Sequence, residues 1–188
     1  MAEAPSEAIP EHKGIEQKFI GELERAMIRV KDDNVEELAK RGYGDKEDGK
    51  LLLRIYEAMH LYRLGLLAIN SGDKAVEFSE LVNICLREDR RGWTKFLVYR
   101  DLRTRGYVVR EGYGIRSDLR VYERGDYGVS AAKFVVIPLN EGEKVGLSTL
   151  KQIIETVYRM GKEPLVAVVE RRGEIIYYRA SKMVFERI

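Results

Sequence analysis

The stretch Tyr99–Phe134, YRDLRTRGYVVREGYGIRSDLRVYERGDYGVSAAKF, decides the fold of the second half of the chain. With the residues just before it, its first part reads WTKFLVYRDLRTRG, which predicts an amphipathic helix that ends at Gly106. The segment YVVREG predicts a strand, and a glycine-containing turn separates it from a second strand in IRSDLRVYERG. A third strand, AKFVVIPL, begins where the stretch ends.

The remainder of this half continues the alternation of predicted helices and strands. The segment STLKQIIETVYRMG predicts a helix that Ser148 caps and Gly161 ends. PLVAVVE is typical of a buried strand, and the turn Arg171–Gly173 leads into EIIYYRASKMVFERI. The order of helix, three strands, helix and further strands predicts a mixed sheet flanked by helices, which belongs to the α/β (α+β) class.

The first half has a different pattern of predicted strands and helices. MIRV predicts a strand, and VEELAKR predicts a short helix with Asn34 as its cap. The glycine-rich and charged segment Gly42–Lys50 is interpreted as an exposed loop. LLLRIYEAMHLYRLGLL is interpreted as one helix closed by Gly65, AINSGDKAV as a strand and turn, and Ser79 as the start of another helix.

These elements divide the chain into a tail and two domains. We expect a disordered tail over residues 1–16, a small N-terminal helix and strand domain over 17–88, and a C-terminal domain over 89–188. The boundary is placed in the charged segment between Glu88 and Gly92.

Composition narrows the possible classes of protein. Of 188 residues, 34% are charged and 45% hydrophobic, and the net charge of +2 is too small to indicate a nucleic-acid partner. The single Cys85 excludes an internal disulfide and is expected to be buried. There is no apolar run of membrane-spanning length and no signal-peptide core, so we expect a cytoplasmic protein without a membrane partner. No cluster has the spacing of metal ligands, so neither a metal nor a cofactor is expected.

Two polar residues stand at positions where chemistry is possible. Tyr122 ends a predicted strand before a glycine turn, so either its hydroxyl reaches a groove or its ring packs on the sheet. Lys162 follows Gly161 at a helix end, where the helix dipole by itself favours a lysine. The two histidines, His12 and His60, are expected to be ordinary surface or packing residues.

A spaced pattern in the decisive stretch has a counterpart in a known family. Its residues are Tyr99, Leu102, Arg103, Arg105, Gly106, Tyr107, Val109, Gly112, Asp118, Leu119, Arg120, Val121 and Tyr122. With Lys162 before LVAVVE, the pair Tyr177 and Tyr178, and the Leu-rich segment LLLRIYEAMHLYRLGLL, the chain resembles the archaeal tRNA-splicing endonucleases. The resemblance covers most of the second half.

The resemblance implies a metal-independent ribonuclease with three catalytic groups. The family's tyrosine falls on Tyr122, its histidine on Ala131 and its lysine on Lys162. The tyrosine is expected to take the 2′-hydroxyl proton, the histidine to protonate the leaving 5′-oxygen, and the lysine to stabilise charge on phosphorus. The products would be a 2′,3′-cyclic phosphate and a 5′-hydroxyl.

Ala131 is the departure from this pattern. Alanine has no proton to give, and general acid–base catalysis contributes on the order of 10²–10⁴-fold, so this chain is expected to be severely impaired. Either the chain is a catalytic subunit whose histidine has been replaced, or it is a natural noncatalytic subunit that positions a catalytic partner. The retained Tyr122 and Lys162 favour the first. A third interpretation is a nuclease-fold DNA-binding protein.

The resemblance also implies how the protein assembles. Family members act as two-fold assemblies of four units, in which an acidic loop of one unit enters a basic pocket of a catalytic unit. The matching turn here, Glu170–Glu174, is not predominantly acidic, which favours a second, acidic-loop endonuclease subunit and a heterotetramer. The terminal segment SKMVFERI is a candidate for strand pairing with a partner.

Precursor tRNA with a bulge-helix-bulge motif is the substrate that the resemblance implies. The segment Gly42–Lys50 resembles an insertion of crenarchaeal members in which a lysine contacts RNA, and Lys46 at its tip is the candidate here. Of the two arginines that sandwich a bulged base in the family, one falls near Glu155, which is a departure, with Arg159 a substitute one helical turn on. Arg179 matches the second.

Overall fold

A computed structural model describes residues 19–31, 35–115 and 118–181. Three of the predictions fall elsewhere: the N-terminal tail with His12, the cap at Asn34, and the terminal strand from Lys182 onward lie outside the described residues.

The first half of the chain builds a mainly antiparallel sheet. Its strands are β1 (Phe19–Glu24), β2 (Met27–Val30), β3 (Asp45–Glu47), β4 (Lys50–Arg54), β5 (Leu67–Ser71) and β6 (Lys74–Ala75), in the order β3-β4-β2-β1-β5-β6. In this sheet β1 and β5 are parallel, and the other neighbouring strands are antiparallel. The edge strands β3 and β6 therefore lie on opposite sides of this unit.

Three helices complete the first half: α1 (Val35–Lys40), α2 (Ile55–Arg63) and α3 (Phe78–Glu88). The helix α2 is buried along nearly its whole length, and residues 55–61 are all inaccessible to solvent or almost so. Gly65 ends this helix in the left-handed conformation with φ of 72°, as the sequence predicts.

The second half contains a mixed sheet between two helices, which confirms the predicted fold class. Its elements are α4 (Gly92–Thr104), β7 (Val108–Glu111), β8 (Leu119–Tyr122), β9 (Phe134–Asn140), α5 (Leu147–Arg159), β10 (Glu163–Val169) and β11 (Ile175–Arg179). The strand order is β11-β10-β9-β8-β7, with β9 and β10 parallel and the other neighbours antiparallel. α4 packs on β7, β9 and β10, while Ile153 and Val157 of α5 pack with Val135 and Ile137 of β9.

The helix α4 also joins the two halves. It packs against α2 and α3 of the first half, so one apolar core continues through both halves. Phe96 and Tyr99 of α4 are fully buried in it, and Tyr56 of α2 lies edge-on to Tyr99 with ring centroids 5.0 Å apart. Burying rings of this size is a large share of what holds the halves together.

The interpretation of residues 42–54 is wrong in two respects. The predicted exposed loop is a β-hairpin of β3 and β4, with its tip at Asp48 and Gly49 in left-handed conformations (φ 48° and 73°). An Asp-Gly pair at such a tip is a strong hairpin signal. The leucines at 51–53 belong to β4 rather than to a helix, because alternate residues bury Leu51 and Leu53 against the core.

Two helix starts are also corrected. α3 begins at Phe78, one residue before the predicted Ser79, because the Phe78 ring packs beside Tyr62 and Phe96. α5 begins at Leu147, and the residue at the cap is Gly146 rather than Ser148. Leu150 N–H bonds to the Gly146 carbonyl at 3.0 Å, so the first turn is already closed before Ser148 is reached.

Neither a membrane-spanning helix nor a metal-binding cluster is found among the residues that the structure describes. In residues 19–31, 35–115 and 118–181, no helix combines the length and the apolar character needed to cross a membrane. Within the same ranges, no group of three or more His, Cys, Asp or Glu side chains is placed to hold a metal ion.

Candidate active site and RNA-contact residues

Three neighbouring strands of the second sheet meet at one end, which we call the Tyr122 end. Val121 of β8 pairs with Phe134 of β9, and Phe134 pairs with Glu163 of β10. Tyr122 follows Val121, Lys133 precedes Phe134, and Lys162 precedes Glu163, so these three residues occupy one row across adjacent strands. Neighbouring strands lie roughly 4.8 Å apart, which brings the row within the reach of one phosphate group and its substituents.

The β7–β8 turn fixes the register that places Tyr122. The buried Asp118 carboxylate accepts hydrogen bonds from the backbone N–H groups of Tyr113 (2.7 Å) and Ile115 (2.9 Å). A Cβ at Gly112 would collide with that carboxylate, so only glycine fits. The Gly and Asp of the family pattern therefore stabilise the turn rather than carry out chemistry.

Other residues of the pattern are also structural. Tyr99 and Arg103 are both fully buried on α4. The Arg103 guanidinium lies 3.8 Å above the Tyr43 ring and donates to the Arg41 carbonyl at 3.0 Å, which joins the two halves. Tyr122, by contrast, is only half-buried, as a side chain that meets a substrate must be.

Tyr122 borders the segment that contains Ala131. The Tyr122 and Tyr127 rings are perpendicular with centroids 5.1 Å apart, so the segment folds back on the end of β8. Ala132 is buried, while Ala131 is exposed. An imidazole at position 131 would extend into open space from an anchored backbone and would displace no core residue.

Lys162 is positioned by the end of α5. Its backbone N–H donates to the Val157 carbonyl at 3.2 Å, and Gly161 takes the left-handed conformation with φ of 67° to allow this closure. The next residue, Glu163, donates its N–H to the Lys133 carbonyl at 3.0 Å, which ties the start of β10 to β9. The half-buried Lys162 side chain therefore rises from a tightly fixed backbone.

Lys133 is a further cation at the Tyr122 end that the sequence analysis did not single out. Its ammonium donates to the Glu123 carboxylate at 2.7 Å, and this hydrogen bond raises the pKa of Lys133. The ammonium also lies 5.2 Å from the Phe134 ring centroid. The only signal for it in the sequence was its place next to Ala131–Ala132 at the start of a strand.

The two candidate arginines also come to the Tyr122 end. Arg179, at the end of β11, forms an ion pair with Glu163 at 3.0 Å and stays largely exposed. Arg159 is exposed in the last turn of α5. The Tyr158 hydroxyl donates to the Ala180 carbonyl at 2.8 Å, which brings the ends of α5 and β11 together.

Lys46 lies elsewhere, and its predicted setting is wrong. It is in the edge strand β3 rather than at the tip of a loop, because the hairpin turns at Asp48 and Gly49. Its ammonium forms an ion pair with Glu36 of α1, and the hydrogen bond lowers the pKa of that carboxyl. Both side chains are about half exposed (47% and 59%), so solvent screens the pair and an anion can compete for the lysine.

A buried polar network holds the β3–β4 hairpin against the second sheet. Arg110 of β7 donates to the carbonyls of Gly42 (3.2 Å) and Gly44 and to the Asp45 carboxylate. Glu57 lies 3.8 Å from the Arg110 guanidinium and accepts the Gly44 N–H at 3.3 Å. Burial raises the pKa of Glu57, and the nearby Arg110 charge opposes that rise.

Two predictions about single residues are confirmed. His60 is buried between the rings of Tyr43 and Tyr99, at centroid distances of 6.3 and 5.6 Å, so it is a packing residue away from the Tyr122 end. Cys85 is buried, and burial raises the pKa of its thiol to about 11, so it stays protonated at neutral pH.

Comparison with known proteins places the chain in a family. The profile of the tRNA intron endonuclease catalytic C-terminal domain matches residues 92–177, and that of the N-terminal domain of the same enzymes matches residues 19–82. The chain belongs to the tRNA intron endonuclease family. Its two matched ranges contain the first and second sheets almost completely.

Curated members of the tRNA intron endonuclease family are similar to this chain over most of their length. The tRNA-splicing endonuclease of Methanococcus vannielii is 31% identical over 156 residues, which span 82% of this chain and 88% of that protein. That of Thermococcus gammatolerans is 30% identical over 146 residues, 78% of this chain and 86% of the relative. That of Pyrococcus furiosus is 29% identical over 141 residues, 75% and 81% of the two chains.

Proposed function

We propose that this chain is the RNA-binding, catalytic-type subunit of a tRNA intron endonuclease, with its acid catalyst missing. The substrate is precursor tRNA, cut at bulge-helix-bulge sites without a metal ion. The observation that carries the proposal is the row of Tyr122, Lys133 and Lys162 at adjacent strand ends, beside the exposed Ala131.

The chemistry follows from these positions. The 2′-oxygen attacks phosphorus while the bond from phosphorus to the 5′-oxygen breaks, which leaves a 2′,3′-cyclic phosphate and a 5′-hydroxyl. Tyr122 takes the 2′-hydroxyl proton, and Lys162 stabilises the negative charge that grows on the phosphoryl oxygens. The 5′-oxygen needs a proton as it leaves, and an imidazole at position 131 has a pKa suited to supply it near neutral pH.

The RNA is held from both sides of the site. Arg179 and Arg159 flank the Tyr122 end and offer planar guanidinium groups to unpaired bases. Lys46 contacts the phosphate backbone from the first sheet once the ion pair with Glu36 opens. A second subunit with an acidic loop completes a heterotetramer, since the turn Glu170–Glu174 of this chain holds two arginines and cannot serve as that loop.

The second candidate is a noncatalytic subunit that positions a catalytic partner. Ala131 is the observation that favours it, because a subunit that does no chemistry has no need of an imidazole. The retained Tyr122 and Lys162 argue against it, since a subunit that does no chemistry has no reason to keep both partners of the missing imidazole.

Restoring the imidazole tests the two candidates. Ala131→His, assembled with the acidic-loop partner, should cleave a bulge-helix-bulge RNA about 10²–10⁴-fold faster than the parent chain. Single-turnover cleavage gives the rate, and mass spectrometry of the fragments identifies the cyclic phosphate. If the histidine variant stays as inactive as the parent in the same assembly, the catalytic-type proposal is wrong and the noncatalytic one stands.

The neighbouring residue provides a matched control. Ser130 is also exposed, so Ser130→His adds the same imidazole one position away without disturbing the core. It should leave the rate at the parent level. Adding Tyr122→Phe to the histidine variant should remove the restored activity while keeping the ring contact with Tyr127.

A further inference from the structure

A groove between the two halves opens next to Tyr122. It has a volume of about 360 Å³ and lies between α1, the start of β3, the middle of β7 and the segment after β8; its lining includes Lys40, Lys46, Arg110 and Tyr127. This volume is near the lower end of the roughly 300–1,000 Å³ found for small-ligand sites, which suits one nucleotide but not a duplex.

The charges of the groove favour an anion. Asp45 is the carboxylate in its lining, and this group is already engaged by Arg110, with Arg54 at 3.9 Å. Lys40 is exposed at the end of α1, and Lys46 forms a direct but solvent-exposed ion pair with Glu36. Two ammonium groups can therefore turn to a phosphate without leaving a buried carboxylate unpaired.

An aromatic ring closes the groove on the side of the active site. Tyr127 is half-buried and lies edge-on to Tyr122, with ring centroids 5.1 Å apart. Its ring lies so close to Gly42 that a Cβ there would be 3.3 Å from it, and Gly42 has a φ of 76°. The ring is thus held between the Gly42 backbone and the Tyr122 side chain.

The opposite wall is rigid because Arg110 holds it. This guanidinium binds the carbonyls on both sides of Tyr43 and the Asp45 carboxylate, so the backbone entering β3 cannot move away from β7. A preformed site loses less free energy to ordering when a ligand binds.

We infer that this groove binds an unpaired nucleotide next to the cleaved phosphate, with its base stacked on Tyr127 and its phosphate between Lys40 and Lys46. The inference rests on the proposed function, because it takes Tyr122 as the point of cleavage. Aromatic side chains stack on unpaired bases, and lysines that neutralise phosphates make binding dependent on salt. The groove contains both kinds of contact, and its aromatic ring lies directly against Tyr122.

The parent chain suits the test, since Ala131 allows RNA binding to be measured without cleavage. With the partner subunit and a bulge-helix-bulge RNA, Tyr127→Leu should raise the dissociation constant by about 5- to 150-fold, the equivalent of a stacking contact of about 1–3 kcal/mol. Tyr127→Phe keeps the ring and should bind like the parent. Lys40→Ala should lower the slope of log affinity against log salt by about one unit.

For each change, a control variant removes the same type of residue far from the groove. Tyr113→Leu removes an exposed tyrosine at the opposite end of the β7–β8 hairpin, and Lys74→Ala removes a lysine from β6 at the far edge of the first sheet. Both should bind RNA like the parent. 2-Aminopurine placed in turn at each bulge position should be quenched at one position, and Tyr127→Leu should abolish that quenching.

The outcomes separate this inference from the proposed function. If Tyr127→Leu and Lys40→Ala behave like their controls while Ala131→His cleaves, the groove is not a nucleotide site and the proposed function stands. If the parent assembly does not bind the RNA at all, both are wrong. If Tyr127→Phe loses as much affinity as Tyr127→Leu, the ring does not act by stacking.

Discussion

Lys162 is the residue whose proposed role is easiest to separate from RNA binding. In the Ala131→His enzyme with its partner, Lys162→Ala should lower the single-turnover rate by about 10²–10³-fold, the loss seen when one donor to a developing charge is removed. Affinity for RNA should barely change, because the interaction strengthens only as charge develops in the transition state. Rapid-quench cleavage and equilibrium binding, run on the same samples, measure the two effects.

A control for this variant comes from the same helix. Lys151→Ala removes an exposed lysine of α5 that lies 3.8 Å from Glu155 and should alter neither quantity. The opposite pattern for Lys162→Ala, weaker binding with an unchanged rate, would make Lys162 a phosphate contact and leave the site without its electrostatic catalyst.

Replacing Arg110 should make the free energy of unfolding depend more strongly on pH. Arg110→Met leaves the buried Glu57 without its opposing charge, and breaking such a pair should lower the free energy of unfolding by about 3–5 kcal/mol at pH 8. Burial already raises the pKa of Glu57 in the folded state, and removing Arg110 raises it further. The folded state of the variant then binds a proton at Glu57 more tightly than the unfolded state does. The free energy of unfolding therefore falls as pH rises and recovers as pH falls.

Urea unfolding between pH 5 and pH 8 measures this dependence. The deficit of Arg110→Met relative to the parent should shrink toward pH 5. Arg110→Lys keeps the charge and should show a smaller deficit that changes less with pH. A deficit that is constant across this range would mean that Glu57 does not titrate there and that the loss comes from the hydrogen bonds to Gly42 and Gly44 alone.

At the scale of elements, the β3–β4 hairpin determines the setting of Lys46, for which we propose a contact with RNA. Lys46→Ala should weaken RNA binding and reduce the salt slope by about one unit. Glu36→Gln should tighten binding by about two- to fivefold, because RNA no longer competes with an exposed ion pair. Titrations at several salt concentrations test both. Lys74→Ala on the opposite edge strand is the control, and unchanged binding by Lys46→Ala would exclude the contact.

Elements of the second half could be predicted from the sequence because their signals are local. Gly106 and Gly161 end helices in left-handed conformations, and apolar runs mark β9 and β10. The first half failed at 42–54 because a run of leucines fits a helix or a strand equally well until the partner strand is known. The Asp48-Gly49 pair was the overlooked signal.

The candidate site residues also divide into those that could be predicted from the sequence and those that could not. Tyr122 and Lys162 could be proposed because each stands at the end of an element and matches the family pattern. Lys40 and Tyr127 could not, since they come together only when α1 and the hairpin pack against the edge of the second sheet. No spacing along the chain encodes that contact.

At the scale of the whole molecule, strand β11 and the turn Glu170–Glu174 bear on assembly with a partner chain. Strand β11 is an edge of the second sheet and exposes Ile176 and Tyr178. Unpaired edge strands with apolar side chains favour pairing with another chain. The turn Glu170–Glu174 projects beside β11 but carries balanced charge, and its Arg171 already binds Glu141 at 2.5 Å. Strand β11 is therefore a candidate pairing surface, whereas the turn does not provide an acidic loop.

Assembly should accordingly require two kinds of chain. The Ala131→His chain alone should form at most a dimer without cleavage activity, and adding the acidic-loop partner should give an active four-chain complex, as measured by light scattering and RNA cleavage. Ile176→Glu buries a charge in the strand-pairing surface and should block the complex. Ile20→Glu makes the same change at an exposed position of β1 in the first sheet and should not. An active homotetramer of the Ala131→His chain by itself would refute the two-subunit arrangement, since it would show that the near-neutral turn suffices.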